Sequence, residues 1–322
     1  MDKLIKKSYI IIKSGEKKKL RTITKNYKNT GLELKKWNKI DNNKLDDNKI
    51  EDLTTTSCNY LCSPKTIANW LSHYKLWKHI VKNEEDRVLI LEDDTYPTKG
   101  FKKKLLRFWD KLPADWDLIY LGCSGTCKND TATDIFYKIT SGRSNTKVDR
   151  HIIKPGYPTG FYGYILSYEG AKKLIKNENF KKVHNEIDKH FANNIINTSN
   201  FNVYAFTPQL IFKNNNNNSM ETHVIGNPIG ESNALYYRPL DINISYFSVI
   251  LMLIGLLVGM FGTNKMKSNF LVTSIILQLF EIAYTKTSIR KLKTLIVEVI
   301  LICVFYAVGI KIKKLIDDRK LF

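Results

Sequence analysis

Two periods of apolar residues run along this chain, and they divide it into stretches. Short apolar runs bounded by polar or turn residues predict β-strands at Ser8–Lys13, Leu34–Ile40, Val88–Leu91, Asp117–Leu121 and Phe201–Phe206. Between them, spacing of three to four predicts helices. A polar helix covers Glu16–Asn29 and is closed by Gly31. Ser63 and Pro64, a capping residue and a first-turn proline, open a helix to about Val81, with Ile67, Trp70, Leu71, Tyr74, Trp77 and Val81 recurring at helical spacing. Further helices fall at Phe101–Leu112, after a Ser167 cap with Ala171, Leu174 and Ile175 facing inward, and at Glu186–Ile195. Strands alternating with helices predict an α/β sheet, in which ligands bind beyond the carboxyl ends of strands.

The pattern changes after about residue 212. Asp241 and Lys265 bracket a stretch with no charge, Ile242–Asn264, which as one helix would span about 34 Å and cross a bilayer core of about 30 Å. Two more apolar runs follow: Phe270–Tyr284, carrying Gln278 and Glu281, and Leu295–Ile310, carrying Glu298. Each reads equally as a span with a buried polar group or as an interfacial helix. Basic residues follow all three runs, so the positive-inside rule does not orient them. The division expected is an α/β domain over 1–212, an Asn-rich linker over 213–241, a membrane anchor of one to three helices over 242–312 and a basic tail over 313–322.

Composition narrows this picture only a little. With 322 residues, 43% of them hydrophobic, the chain can bury one sizeable core and a smaller appendage. A formal charge of +20 suggests an anionic partner, but no Lys/Arg block has the length of a nucleic-acid tail, and Lys and Asn enrichment fits a coding bias equally well. Five cysteines include two Cys-x3-Cys pairs, Cys58/Cys62 and Cys123/Cys127. That spacing admits a four-thiolate zinc site, although structural zinc favours shorter knuckles; an odd count favours reduced, free thiols. The N-terminal apolar run Tyr9–Ile12 is too short for a signal-peptide core, and the expected location is a membrane with the α/β domain on its cytosolic side.

The candidate chemistry lies in "RVLILEDD", where a strand delivers three consecutive carboxylates, Glu92, Asp93 and Asp94. Acids at a strand exit are hard oxygen ligands suited to Mg2+ or Mn2+ shared with substrate phosphates. Pleating sends Glu92 and Asp94 to one side and Asp93 to the other, so one pair can share a metal while the third orients backbone or ribose. Taken alone, the same triplet also reads as a solvated acidic turn before Pro97.

Its neighbours bear on that choice. "LSHYKLWKHIV" (Leu71–Val81), "RVLILEDD" (Arg87–Asp94), "DLIYLG" (Asp117–Gly122), "TGFYGYILSYEGAKKLI" (Thr159–Ile175) and "EIDKHF" (Glu186–Phe191) occur in this order, followed by "VYAFTPQLI" (Val203–Ile211). Over roughly residues 8–212 the chain resembles glycosyltransferase family 25, the lipopolysaccharide and collagen galactosyltransferase type. The resemblance implies a GT-A-like nucleotide-sugar-binding mixed sheet flanked by helices, to which the sequence adds C-terminal transmembrane helices. It also implies Mn2+ or Mg2+, and transfer of a hexose, galactose being one option, with inversion from a nucleotide-diphosphate sugar donor to a glycan, lipid or protein acceptor. Carried over by residue, Glu92 and Asp94 match metal ligands, with Asp94 the main one, and Asp93 a nucleotide contact. Ser72 and His73 match the donor-site Ser-His pair, and Asp188 matches the general base. Read without the family, His73 is a satisfied helix-face histidine and Asp188 an ion-pair partner of Lys189 or Lys182.

The chain departs from the family at two places. After the first strand the family has Asn-Leu and spaced arginines, where this chain has Lys13, Ser14 and Gly15, then Lys17–Lys19 and Arg21; lysines bind diphosphate as point charges without the bidentate fork of arginine. Ala68-Asn69 stand where the family has Gly-Cys. These departures keep two alternatives open: a catalytically inactive, membrane-tethered nucleotide-sugar or glycan binding protein, and a phosphate- or nucleic-acid-binding α/β protein supported by charge alone. No nucleic-acid partner is expected.

Overall fold

The computed structural model describes residues 4–127, 142–196, 198, 200–214, 234–237, 242–285 and 289–319. They fall into two compact units, Met1–Asn59 with Pro64–Val224, and Tyr60–Ser63 with Ile225–Phe322.

The first unit is built on an eight-stranded mixed sheet. In chain order its strands are β1 (Lys7–Ile12), β2 (Lys35–Asn38), β3 (Val88–Glu92), β5 (Leu118–Gly125), β6 (Thr146–Asp149), β7 (Ile152–Lys154), β8 (Pro158–Leu166) and β9 (Val203–Phe206). They lie in the order β2-β1-β3-β8-β5-β9-β7-β6. β1 is parallel to β2 and β3, β5 is parallel to β9, and β8 runs antiparallel between β3 and β5. The run Val88–Leu91 is apolar throughout because both faces of β3 are covered, and all four residues are fully buried. β4 (Thr95–Pro97) and β10 (Ile211–Lys213) form a separate antiparallel pair.

Helices α1 (Lys17–Tyr27), α2 (Asp47–Leu53), α3 (Thr56–Leu61), α4 (Pro64–Lys82), α5 (Phe101–Trp109), α6 (Tyr168–Lys176) and α7 (Ile187–Asn194) flank the sheet. Gly31 ends the first helical stretch at φ 75°, a left-handed conformation that favours glycine. The Ser167 hydroxyl accepts the Gly170 N–H and caps α6. Along α4 the buried stripe is Ile67, Trp70, Leu71, Leu76, Trp77 and Ile80, and it encloses two polar residues, Ser72 and His73. Helices α2 and α3, strands β6, β7 and β8 and the β4–β10 pair lie outside the expected elements, and the strand expected over Asp117–Leu121 continues to Gly125.

Cys58, Cys62, Cys123 and Cys127 are all disulfide-bonded, Cys123 to Cys127, and Cys303 is free. The expectation of reduced thiols therefore does not hold, and these four sulfurs are not available for zinc. The odd count misled because the fifth cysteine lies in a separate C-terminal helix. A separation of four residues still permits closure where the chain turns back: Cys123 and Cys127 have Cα atoms 5.8 Å apart, within the range a disulfide bridges.

In the second unit, β11 (Ala234–Tyr237) pairs antiparallel with β12 (Ile242–Ser245), and three helices follow: α8 (Tyr246–Phe261), α9 (Asn264–Thr285) and α10 (Ile289–Arg319). The charge-free stretch Ile242–Asn264 is thus not one helix. Its first four residues alternate Ile-Asn-Ile-Ser, a strand period, and enter β12. α8 is 16 residues long, about 24 Å, short of the hydrocarbon thickness. Among the described residues one helical segment, Leu295–Asp318, is long and apolar enough to cross a membrane. α8 and α10 pack closely because a side chain at Gly259 or Gly309 would strike the Tyr306 or the Leu256 carbonyl oxygen. The Gln278 amide donates to the Ser248 hydroxyl at 2.8 Å, so a buried polar group between α9 and α8 is satisfied.

Candidate active site

β3 ends at Glu92, and the chain turns through Asp93 and Asp94 into β4. The Thr95 hydroxyl donates to the Glu92 carbonyl at 2.9 Å, and the Tyr27 hydroxyl donates to Thr95 Oγ1 at 3.1 Å, which ties α1 to this turn. The acids separate as the pleat predicts, although Asp93 and Asp94 belong to a turn rather than to the strand. Glu92 Oε2 and Asp94 Oδ2 share one ammonium, Lys213 Nζ, at 3.5 and 3.4 Å. Asp93 instead pairs with Lys19 at 2.9 Å.

Burial raises the Glu92 pKa, but His73 and the Lys213 charge outweigh it and hold the carboxyl at about 2. Burial raises Asp94, helped by the charges of Glu92 and Asp93 and opposed by Lys213. One atom of the motif, Asp94 Oδ1, is buried without a hydrogen-bond partner among the described residues. Among those residues no three His, Cys, Asp or Glu side chains gather into a metal site. Two carboxylates converging on one cation, with a spare buried oxygen beside them, still fit a hard divalent ion that takes its remaining ligands from water and substrate phosphate.

His73 and Ser72 lie on α4 and are fully buried. The indole N–H of Trp77 can only donate, and it meets the Tyr164 hydroxyl at 2.9 Å. His73 Nδ1 is 2.9 Å from the same hydroxyl. With the Trp77 N–H donated to Tyr164, the arrangement that also gives the Tyr164 proton an acceptor has it donated to Nδ1, which leaves the imidazole hydrogen on Nε2. That nitrogen has no hydrogen-bond partner among the described residues and faces Glu92 Oε1 at 3.8 Å, an electrostatic contact too long for a hydrogen bond. Ser72 is committed elsewhere: its hydroxyl donates to the Ala68 carbonyl at 2.6 Å and accepts the Ile40 N–H at 2.9 Å, while its carbonyl accepts the Trp37 indole N–H.

Asp188 stands in the first turn of α7. Its carboxylate accepts the Gly160 N–H at 2.6 Å, and the Lys189 ammonium reaches Glu186 at 3.2 Å. Burial raises the Asp188 pKa, the Gly160 and Lys189 backbone N–H groups oppose the rise, and the charge of Glu92 adds to it. The Tyr120 hydroxyl, buried with no hydrogen-bond partner among the described residues, feels the Asp188 charge. The structure therefore brings Glu92, Asp94, His73 and Asp188 into one electrostatic neighbourhood, turns Asp93 away to Lys19 and leaves Ser72 in the packing between α4 and the segment after β2.

Sequence reasoning missed Lys213. It follows the last quoted motif by two residues and was expected to begin a linker; its signal is the short apolar pair Ile211-Phe212 running into a lysine, a final strand bearing a charge.

The family model of glycosyltransferase family 25 (LPS biosynthesis protein) matches residues 6–191. The chain belongs to this family. It is similar to procollagen galactosyltransferase 2 of Homo sapiens, at 29% identity over 36% of this chain and 17% of that protein. A glycosyltransferase 25 family member of Aedes aegypti is 30% identical over 36% of this chain and 18% of its own length. A probable inactive glycosyltransferase 25 family member 3 of Bos taurus is 28% identical over 35% and 18%. The chain thus matches under a fifth of the length of these relatives.

Proposed function

We propose that this chain is a metal-dependent hexosyltransferase that moves a sugar from a nucleotide-diphosphate donor to a glycan, lipid or protein hydroxyl with inversion, on a GT-A-type sheet. The observation that carries the reading is the convergence of Glu92 and Asp94 on one cation position at the carboxyl end of β3, within a family 25 domain. A divalent cation held by Glu92 and Asp94 would neutralise the charge that develops on the leaving diphosphate. Lys19, already paired to Asp93, supplies a point charge on the same rim. Asp188 accepts the proton of the acceptor hydroxyl as its oxygen attacks the anomeric carbon opposite the leaving group, and a single displacement inverts that carbon. A raised pKa suits this role, because a more basic carboxylate takes the proton more readily.

The second unit acts as a membrane anchor in this reading. Ile250, Leu253, Leu257, Val272, Ile276 and Val304 are exposed on its three helices, an apolar surface that water does not favour and lipid does. Four disulfide-bonded cysteines favour an oxidising compartment for the unit carrying Cys123 and Cys127, opposite to the cytosolic side expected from the N-terminus. Relatives named inactive, together with the lysines in place of spaced arginines, favour a second reading as a binding protein without turnover. Incubating the full chain in detergent with nucleotide sugars, simple sugar acceptors and Mn2+, and following anomeric configuration by NMR, separates them. Formation of an inverted glycoside supports the transferase; donor binding without product supports the second reading.

A further inference from the structure

The ammonium between Glu92 and Asp94 is delivered by a strand held in place on three sides. Lys213 lies opposite Thr95 in the β4–β10 ladder, and Phe212 stacks on Tyr96 with ring centroids 5.8 Å apart. Below, Ile211 sits on Gly122 of β5 and Gly163 of β8: a Cβ at Gly122 would strike the Ile211 carbonyl oxygen, and one at Gly163 would lie 2.9 Å from Ile211 Cγ2. Beyond the strand, the Asn214 N–H donates to the Asp94 carbonyl at 2.5 Å. A lysine fixed by its neighbours on both sides and from below is not a surface side chain that meets two acids by chance. Its side chain is 44% exposed, so it has a path to leave.

An ammonium at 3.4–3.5 Å from two carboxylates and a divalent ion ligated by the same oxygens cannot occupy the same ground. We propose that Lys213 is the built-in counter-ion of the acidic pair: it holds Glu92 and Asp94 together in the metal-free chain, is displaced when a divalent cation binds, and swings outward to the rim on which the donor phosphates lie. It is a positioning residue, and the proposal rests on the metal-dependent reading above. Competition of this kind sets the metal concentration at which the site fills, and it lets β10 register whether the site is loaded.

The test uses the full chain in detergent and Mn2+ alone, titrated by electron paramagnetic resonance. Removing the competing charge in Lys213→Gln is expected to lower the half-saturating Mn2+ concentration by about tenfold, whereas Lys213→Arg, which keeps the cation, stays near wild type. Equal or weaker Mn2+ binding by Lys213→Gln overturns the proposal. A second readout needs no variant: acetylation of Lys213 in the wild-type chain, mapped by mass spectrometry, is expected to rise several-fold with Mn2+ over EDTA, and an unchanged rate overturns it. Absence of Mn2+ binding to any of the three proteins overturns both this proposal and metal dependence; nucleoside diphosphate release in EDTA would then show the transferase reading still standing.

Discussion

Asp188 and Gly160, 28 residues apart in sequence, are joined by a 2.6 Å hydrogen bond from the glycine N–H to the carboxylate Oδ2. Gly160 has φ +78°, a conformation that other residues adopt only with strain, and this backbone bend presents its N–H to the acid. The bond orients the carboxylate through Oδ2. Asp188→Asn preserves the acceptor for Gly160 but cannot take a proton. We expect transfer to fall by roughly 10²-fold or more while donor affinity stays within about twofold, measured as kcat against donor Kd. A parallel loss of both would make Asp188 a donor or packing residue.

The same carboxyl sets a pH signature. Its pKa in the folded chain is raised above the ordinary carboxylate value, mainly by burial. The folded state therefore binds this proton more tightly than the unfolded chain does. The resulting stability is fully present below the unfolded pKa of about 4 and is lost as pH rises through the folded value. Asp188→Asn carries no charge at any pH, so it should melt above wild type at pH 7, with the difference closing as pH falls below about 4. Melting curves from pH 3.5 to 8 check this, and a mutant that melts lower at pH 7 contradicts it.

Ser72 makes a different kind of prediction. Its hydroxyl satisfies the Ile40 N–H and is fully buried. Ser72→Ala leaves that donor without a partner, at a cost of about 1–3 kcal/mol in unfolding free energy by denaturant titration. Donor affinity measured well below the melting point should be unchanged, because the hydroxyl is already spent inside the fold. A donor Kd weakened tenfold at unchanged stability would return Ser72 to the binding site.

Much of this was legible in the sequence because it is local. A run such as Val88–Leu91 is uninterrupted because it is buried on both faces, and Ser63-Pro64 and Ser167 mark helix starts by chemistry that needs no partner far away. The separation of Glu92 and Asp94 from Asp93 also follows from geometry within a few residues. What was hidden depends on distant chain. Lys213 meets Glu92 across a separation of more than a hundred residues, His73 is fixed by Tyr164 from β8, and Ser72 looks like a ligand residue until Ile40 folds back onto it. Nor does spacing show whether a Cys-x3-Cys pair closes. The apolar stretch beginning at Ile242 was misjudged for a related reason: absence of charge indicates burial or lipid, but the Ile-Asn-Ile-Ser alternation inside it sets the local conformation.

The disulfides give a compartment test. Alkylation of the full chain, denatured without reductant, should modify Cys303 alone, and reduction should expose four further thiols. Mass mapping of chain taken directly from the cells that make it decides the matter. Five reactive thiols before reduction would put the first unit in a reducing compartment and restore the cytosolic orientation.

The central claim is that the acids at the end of β3 bind the cation that makes a nucleoside diphosphate leave. Nucleoside diphosphate release from a panel of nucleotide hexoses by the full chain in detergent, with Mn2+ and with EDTA, for wild type and Asp94→Ala, tests it most directly. Mn2+-dependent release from at least one donor is expected, lost by more than tenfold, about 1.4 kcal/mol of activation free energy, in an Asp94→Ala protein whose melting point is not lowered. Release by Asp94→Ala at more than about a tenth of the wild-type rate, or equal wild-type release in EDTA and Mn2+, would contradict it.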